Sequence, residues 1–220
     1  MAAKPFADKT PMVSSFRQRR AVHVREVIAH VAGAAGRCRI LDIGGNEPYW
    51  ANVGEEFLAE HKAEITLFNV TEGKVTSPRF TAMAGDGCAL PFADNAFDMA
   101  HSNSVVEHVG DWPRMEAFAR ELRRVAPSYY VQTPYFWFPY EPHFRTPFFH
   151  WLPESTRVSM MLRRRHGFHG RQEDVSAATR SVQSARLVDE QQFRHLFPDG
   201  EIVREKVFGL TKSLMALRKG

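Results

Sequence analysis

The stretch from Arg39 to Asn46 constrains the fold of this chain more than any other, and it reads Arg-Ile-Leu-Asp-Ile-Gly-Gly-Asn. Apolar residues lead into an acid and then into paired glycines, and a segment that can form a helix follows. This order predicts a buried strand that ends in a tight turn beneath a ligand, because glycine accepts positive φ and lets a bulky group approach the main chain. The acid suits hydroxyl or ammonium groups, since a carboxylate repels phosphate.

Two common nucleotide-binding patterns do not match this turn. A phosphate-cradling loop would place a Lys-Ser or Lys-Thr pair after its last glycine, whereas Asn46 and Glu47 stand there. A nicotinamide-binding loop would carry the Gly-x-Gly-x-x-Gly fingerprint, and this turn does not. The turn therefore argues against a nucleotide triphosphatase and against a nicotinamide oxidoreductase.

Length and composition are those of one globular domain. The 220 residues are 44% apolar and 25% charged, so they can bury a sizeable core. We expect a single domain over residues 1–220, with residues 1–13 as a loose arm. No apolar run is long enough to cross a bilayer, and the N-terminus lacks the apolar core of a secretory signal. We therefore expect a cytoplasmic protein without a membrane partner, with Cys38 and Cys88 reduced.

The charge balance permits nucleic-acid binding without requiring it. The formal net charge is +4 and the sequence pI is about 9.2. The basic residues form two short clusters, at 17–20 and at 163–165. We interpret both clusters as solvated faces of helices.

Helical and strand patterns alternate along the chain, which predicts an α/β fold. We expect a first helix from Ser14 or Ser15 to about Ala35, and two final strands that pair across Gly209. Between them, helices are predicted at about 49–61, 111–125, 153–165 and 189–197, and strands at about 38–43, 65–70, 80–84, 99–103 and 129–132.

Several segments, in the right order, resemble the class I S-adenosylmethionine-dependent methyltransferases. Asp42 and Gly44 match the acid-x-Gly-x-Gly turn of that family, although Asn46 stands where its second glycine usually lies. The segment Gly85-Asp86-Gly87-Cys88-Ala89-Leu90-Pro91-Phe92 and the pair Phe97-Asp98 before a strand are the next landmarks. The resemblance implies a Rossmann-like seven-stranded, mostly parallel sheet with helices on both faces and a C-terminal antiparallel hairpin. It also implies S-adenosyl-L-methionine as the cofactor.

The resemblance assigns cofactor contacts residue by residue. Asp86 would accept the adenine amino group, with Cys88 or Ala89 against the ring, and Asn103 or Ser102 would touch the methionine part. Asn69, or else Thr71 or Glu72, stands where the family has an acid that binds the ribose hydroxyls, and the amide of Asn69 can still hydrogen-bond them. The predicted cofactor-binding residues are Asp42, Gly44, Gly45, Asn46, Asn69, Asp86, Gly87, Cys88 and Asn103.

The pair Glu107-His108 admits three interpretations. Some quinone-type O-methyltransferases have Glu-x-x-Glu-His here and bind a divalent metal such as Mg²⁺, but Ser104 replaces the first Glu in this chain. In that interpretation Glu107, His108 and His143 are the metal ligands. Alternatively, His108 is a general base or orients the substrate, or the pair only holds the loop.

Residues 134–183 form a substrate-side insertion in our interpretation. Four prolines between 134 and 147 exclude a regular helix there, and the many aromatics either cover the active site or contact a second subunit in a homodimer. His143 is a candidate base for a hydroxyl acceptor, with Glu141 orienting its ring. Residues 166–183 look like a mobile polar excursion that could serve as a lid. The predicted substrate-binding residues are Tyr135, Trp137, Tyr140, Glu141 and His150.

The function predicted from these patterns is transfer of a methyl group to a hydroxyl of a small molecule, with a sugar or oligosaccharide as the first choice of acceptor. The catalytic candidates are His143, His108 and Glu107. One alternative is a tRNA or rRNA methyltransferase, but the segment from Asn103 to Val106 lacks the Asn/Asp-Pro-Pro-aromatic pattern typical of base amino methylation. Another alternative is a non-catalytic cofactor-binding protein, because the glycine turn departs from the family pattern.

Overall fold

The computed structural model describes residues 11–220, and side chains are described from residue 16 onward. The helices are α1 (Pro11–Ala35), α2 (Glu47–Trp50), α3 (Glu55–Glu60), α4 (Trp112–Val125), α5 (Glu154–Arg163), α6 (Val175–Val182) and α7 (Glu190–Leu196). The strands are β1 (Cys38–Ile43), β2 (Ala63–Asn69), β3 (Phe80–Ala84), β4 (Met99–Asn103), β5 (Ser128–Pro134), β6 (Tyr140–Glu141), β7 (Thr146–Pro147), β8 (Glu201–Val207) and β9 (Leu210–Arg218).

Seven of these strands form one sheet in the order β3-β2-β1-β4-β5-β9-β8. Strands β1 to β5 are parallel, whereas β9 runs antiparallel to β5 and pairs with β8 in a hairpin. The chain order reverses between β1 and β4, so the carboxyl ends of those two strands flank the crevice where ligands bind in such sheets. The predicted Rossmann-like sheet with its antiparallel C-terminal hairpin is confirmed.

Alternation along the strands divides the interior into two cores. On β1, Ile40 packs under α1 while Leu41 packs under α4. On β5, Tyr129 and Tyr130 separate in the same way. Because successive strand side chains point to opposite faces, one apolar strand fills both layers.

The insertion after β5 has a small core of its own. Phe144, Phe149 and Met161 pack there with Ala178 and Val182 of α6. Within the predicted polar excursion over 166–183, the second half contains helix α6, which packs on α5. A lid role for this segment stays a prediction. The helix was missed because its apolar side is only a short row of small or branched residues.

Two helix boundaries also differ from the prediction. The first helix begins at Pro11 rather than at Ser14 or Ser15, so residues 11–13 of the predicted arm are helical, and residues 1–10 lie outside the described part. The predicted helix over 49–61 is two short helices, because Gly54 adopts φ 98° between them and interrupts the turn.

Across residues 11–220, the helices are too short or too polar to traverse a lipid bilayer. Both cysteines are free, with Cys38 buried and Cys88 half-buried, as predicted.

Candidate active site

The glycine turn after β1 is held against two side chains. Gly44 has φ 79°, and its amide donates to the carbonyl of Phe68 at 2.8 Å. A methyl group on Gly44 would overlap Val105, and one on Gly45 would overlap the carboxylate of Asp42. Both positions therefore require glycine for reasons internal to the protein.

Asp42 is fully buried beneath this turn, and both of its oxygens are occupied. Oδ2 accepts from Nε1 of Trp50 at 2.8 Å, and Oδ1 accepts from Nδ1 of His101 at 2.7 Å. Because a carboxylate only accepts, Nδ1 of His101 carries the proton. Its Nε2 lies 3.2 Å from the hydroxyl of Tyr49. Asp42 therefore braces the turn and α2 from below.

Sequence reasoning missed His101 and Trp50 as parts of this site. The available signal was a histidine in the middle of an otherwise buried strand, since a buried polar side chain needs a partner. The partner, Asp42, is 59 residues away in sequence, so the pairing follows only from the β1–β4 register that places Asp42 opposite His101.

Two predicted asparagines hold the same turn. The side chain of Asn46 caps α2 by accepting from the amide of Tyr49 at 3.1 Å. The Nδ2 of Asn69, at the end of β2, donates to the carbonyl of Gly45 at 3.0 Å. Both residues thus lie at the carboxyl edge of the sheet, where the sequence placed them.

Asp86 lies farther along this edge and is half exposed. Its carboxylate accepts from the amide of Cys88 at 2.9 Å and from Nη2 of Arg114 at 3.0 Å to each oxygen. These bonds lower the pKa of Asp86, the Cys88 amide contributing most. Burial raises the pKa of the Cys88 thiol to about 11, so the thiol is protonated. A methyl group on Gly87 would press on Ile43 and Phe118.

Asn103, at the end of β4, has an unexpected partner. Its Oδ1 accepts from Nη1 of Arg20 at 3.1 Å. Arg20 is 8% exposed and lies 3.4 Å from Glu205, in an ion pair that lacks hydrogen-bond geometry. Interpreting the 17–20 cluster as wholly solvated was therefore wrong for Arg20, which points from α1 into the protein.

The structure brings Glu107, His108 and His143 together. One ligand atom from each lies within 4.8 Å of the others. His143 and Glu141 bond at 2.6 Å through Nδ1, and Nδ1 of His108 donates to the carbonyl of Ser184 at 2.7 Å. The two imidazole rings meet edge to face at 4.7 Å. Because each ring is bonded through Nδ1, its Nε2 is the nitrogen left to meet a ligand.

Glu107 and His143 are both buried in this cluster. One oxygen of Glu107 accepts from Thr133 at 3.0 Å, and the other has no partner among the described residues. Burial lowers the pKa of His143, but the bond to Glu141 and the charges of Glu141 and Glu107 outweigh it, so the net pKa is raised above 6.5. His143 is thus a comparatively strong base.

The predicted substrate residues divide into two groups. Trp137, Glu141 and His150 line a cavity of about 820 Å³ between the insertion and the segment 182–192, whereas Tyr135 and Tyr140 do not line it. Tyr135 instead bridges to Val188 at the end of β5. Arg157, which the sequence analysis did not single out, also lines the cavity.

Comparison with known proteins gives a match over part of this structure. Residues 50–128 match the family model described as "Methyltransferase domain". The match begins just after the glycine turn and runs from α2 to the start of β5. Together with the strand order, it supports an enzyme of the S-adenosylmethionine-dependent methyltransferase type.

Two curated relatives carry methyltransferase names. A demethylmenaquinone methyltransferase of Renibacterium salmoninarum is 31% identical over 153 residues, which cover 67% of this chain and 61% of that protein. An uncharacterized methyltransferase of Mycobacteroides abscessus is 32% identical over 100 residues, covering 42% and 38%. The chain thus spans less than two thirds of the length of either relative.

Among solved structures, the 1,6-didemethyltoxoflavin-N1-methyltransferase of Burkholderia thailandensis, with S-adenosylhomocysteine bound, aligns over 100% of this chain and 94% of that one. The TM-score is 0.47 and the identity is 14%.

Proposed function

We propose that this protein transfers the methyl group of S-adenosyl-L-methionine to a hydroxyl of a small molecule, most favourably a sugar or oligosaccharide. The observation that carries the proposal is the carboxyl edge at the β1–β4 reversal, where a tight glycine turn meets amide and carboxylate side chains. The family match over residues 50–128 supports the transferase chemistry. The choice of a hydroxyl acceptor rests on the histidine cluster beside this edge.

The residues at this edge fit the proposed cofactor. Gly44 and Gly45 let the chain turn tightly at this edge, because a side chain at either position would collide with Val105 or Asp42. Asn69 is held by Gly45 and offers an amide for ribose hydroxyls, and Asp86 offers a carboxylate for an amino group. The bound cofactor would supply an electrophilic methyl group on a sulfonium.

The protein's own contribution is to orient the acceptor and to take its proton. A neutral His143 has a free Nε2, because Nδ1 is held by Glu141. That nitrogen can accept a hydroxyl proton, and Glu141 then stabilises the imidazolium. His108 and Glu107 lie beside it and would position the same hydroxyl. Closing the aromatic insertion over this point would exclude water.

The donor set of the histidine cluster does not fit Mg²⁺. One carboxylate and two imidazoles face one another, whereas Mg²⁺ prefers oxygen ligands and keeps several waters. Imidazole ligands suit transition metals instead. No step of the proposed reaction therefore depends on Mg²⁺, and added Mg²⁺ should leave the rate unchanged.

Two measurements test the proposal separately. Calorimetric titration with S-adenosylhomocysteine should release heat and raise the melting temperature, whatever the acceptor is. Transfer of a labelled methyl group into sugar and phenol libraries should then identify the acceptor. Absence of both heat and a melting shift would rule out the cofactor, and binding without transfer to any acceptor would favour a non-catalytic protein.

A quinone ring is a second candidate acceptor, because one relative is named as a demethylmenaquinone methyltransferase. The aromatic insertion suits a flat ring as well as the C–H face of a sugar. Offering a reduced naphthoquinone beside the sugar library decides between the two. Carbon-bound label in the quinone would replace the hydroxyl proposal.

A further inference from the structure

The cavity beneath the insertion contains a cation that has no counter-ion. Among the described residues, the guanidinium of Arg157 takes part in no ion pair, and its buried Nε has no hydrogen-bond partner. Burial lowers the pKa of Arg157, with Glu154 and Glu141 opposing the shift. A desolvated guanidinium without a partner costs free energy, and an arriving anion would recover it.

The acids that line the same cavity are already bonded elsewhere. Glu141 is bonded to His143 and to the amide of Phe144, and Glu154 accepts from Gln183. Asp111 and Asp189 accept from backbone amides at the starts of α4 and α7. Among the described residues none of these four carboxylates forms an ion pair with Arg157, although their negative charges remain in the cavity. The guanidinium can therefore still pair with the acid group of a ligand.

A second polar atom in the cavity also lacks a partner. Nε2 of His150 donates to the carbonyl of Phe136 at 2.6 Å, which fixes the proton on that nitrogen. Burial lowers the pKa of His150, and the nearby charge of Arg157 lowers it further, so the ring is neutral. Its Nδ1 is consequently a bare acceptor, buried and without a donor among the described residues. It can accept a hydroxyl proton from a ligand.

The remaining walls of the cavity are aromatic. Phe144 and Phe149 are buried on one side, and Trp137 is 57% exposed at the rim. The volume is that of a site for a small organic molecule, and the lining sets aromatic rings beside several charged and polar side chains. The exposed Arg186 adds a second positive charge to the lining.

We propose that this cavity binds a hydroxylated small molecule bearing an acid group, whose acid pairs with Arg157 and whose hydroxyl donates to Nδ1 of His150. That this small molecule is also the methyl acceptor rests on the function proposed above. The cavity is joined to the catalytic cluster through Glu141, which lines it and holds His143. The ligand class is a hydroxy acid or a phosphorylated polyol. The first would pair a carboxylate with Arg157, and the second would pair a phosphate with it.

A matched pair of probes tests the charge requirement without any methyl transfer. We would titrate the full chain, saturated with S-adenosylhomocysteine and also without it, with 4-nitrophenyl β-D-glucuronide and 4-nitrophenyl β-D-glucoside. The two compounds differ by a carboxylate in place of a hydroxymethyl group. We expect the glucuronide to bind about tenfold more tightly or better, since bonds to charged groups are the stronger ones. A third arm, 4-nitrophenyl phosphate, shows whether phosphate serves as well as carboxylate.

Two substitutions localise the effect. Arg157→Gln should remove the preference for the glucuronide and leave glucoside binding within about twofold. The control is Arg163→Gln, an exposed position on the same helix that does not line the cavity, and both affinities should be kept. His150→Phe should weaken both compounds alike by about tenfold, while Trp151 continues to satisfy the Phe136 carbonyl.

Equal affinity of the wild-type protein for the charged and neutral probes would overturn the proposal. The proposal would also be overturned if Arg163→Gln lost the preference for the glucuronide as fully as Arg157→Gln. The same holds if neither the glucuronide nor the phosphate binds at millimolar concentration. Thermal melts of each variant separate these outcomes from unfolding. Failure to bind S-adenosylhomocysteine would instead count against the function proposed above and leave the cavity proposal standing.

Discussion

The turn after β1 and the cavity under the insertion differ in where their buried polar groups find partners. At the turn, Asp42, Trp50 and His101 satisfy one another through bonds of 2.7 and 2.8 Å. In the cavity, nitrogens of Arg157 and His150 have none among the described residues. A buried polar atom without a partner is costly, and in the cavity an entering ligand can supply the missing partner.

The difference indicates a division of labour within the molecule. The turn is prebuilt, because its buried polar groups are satisfied by one another. The cavity is left incomplete, and its polar atoms would select the acceptor. Substitutions at the turn should therefore reduce stability, whereas those around the cavity and its histidine cluster should alter activity or specificity and spare the fold.

The largest effect is expected at His143. His143→Gln should lower methyl transfer by about a hundredfold to ten-thousandfold, because the general base is lost while S-adenosylhomocysteine still binds. Only neutral His143 accepts a proton, and its pKa is raised. The wild-type rate should therefore increase with pH through a value above 6.5, and the variant should lose that dependence. His195→Gln, at an exposed imidazole, serves as the control. Full turnover in the His143 variant would refute the base assignment.

Arg20 is expected to have the largest effect on stability. Arg20→Gln should cost about 3–4 kcal/mol of the free energy of unfolding, because Glu205 is 7% exposed on its side chain and would keep only Lys212, at 3.7 Å, as a cation. Arg19→Gln, exposed one position away, should change stability by less than about 0.5 kcal/mol. Chemical denaturation of both variants measures the difference. If the two variants unfold alike, Arg20 contributes no more than a surface charge.

Gly45→Ala tests whether the turn is rigid. The added methyl group would overlap the Asp42 carboxylate, so we expect a loss of about 3 kcal/mol in stability and weaker S-adenosylhomocysteine binding. Gly33→Ala is the matched control, because its added methyl group has open space inside α1 and should stabilise the helix by up to about 1 kcal/mol. Melting curves and calorimetry report both quantities. If Gly45→Ala bound S-adenosylhomocysteine as tightly as the wild-type protein, the turn would be able to shift around the added methyl group and would not be rigid.

The smallest predicted effect is that of Trp50→Phe. The ring volume is largely kept, but Asp42 loses one donor, which should cost about 1–3 kcal/mol. Trp137→Phe should cost less than about 0.5 kcal/mol, because that ring is 57% exposed. Comparable losses at the two tryptophans would contradict the contrast between a satisfied turn and an open cavity.

The sheet and the turn could be predicted from the sequence because their signals are local. The apolar run before Asp42, the paired glycines and the caps at Asp111 and Asp189 each specify structure within a few residues. The structure has both caps, and the helices that they begin were predicted at about 111–125 and 189–197. The roles of the cofactor-binding residues stay predictions, although the structure places Asn46, Asn69 and Asn103 at the same edge.

The partners of buried polar groups could not be predicted, because they lie far away in the sequence. Arg20 meets Asn103 across 83 positions, and nothing near Arg20 distinguishes it from its solvated neighbours. Helix α6 was not predicted for a different reason, because its apolar side packs only on the insertion that it covers. His143 was found because Glu141 is two residues away, within the range that a sequence pattern can show.

The ion pair of Arg20 has a consequence for synthesis on the ribosome. It joins α1, which is made early, to Glu205 on β8, which is made late, and Asn103 at the edge of the crevice bonds to the same guanidinium. Until β8 has been synthesised and has joined the sheet, Arg20 lacks the carboxylate of Glu205. Arg20 should therefore gain its full set of partners only when β8 joins the sheet, rather than gradually as the parallel strands form.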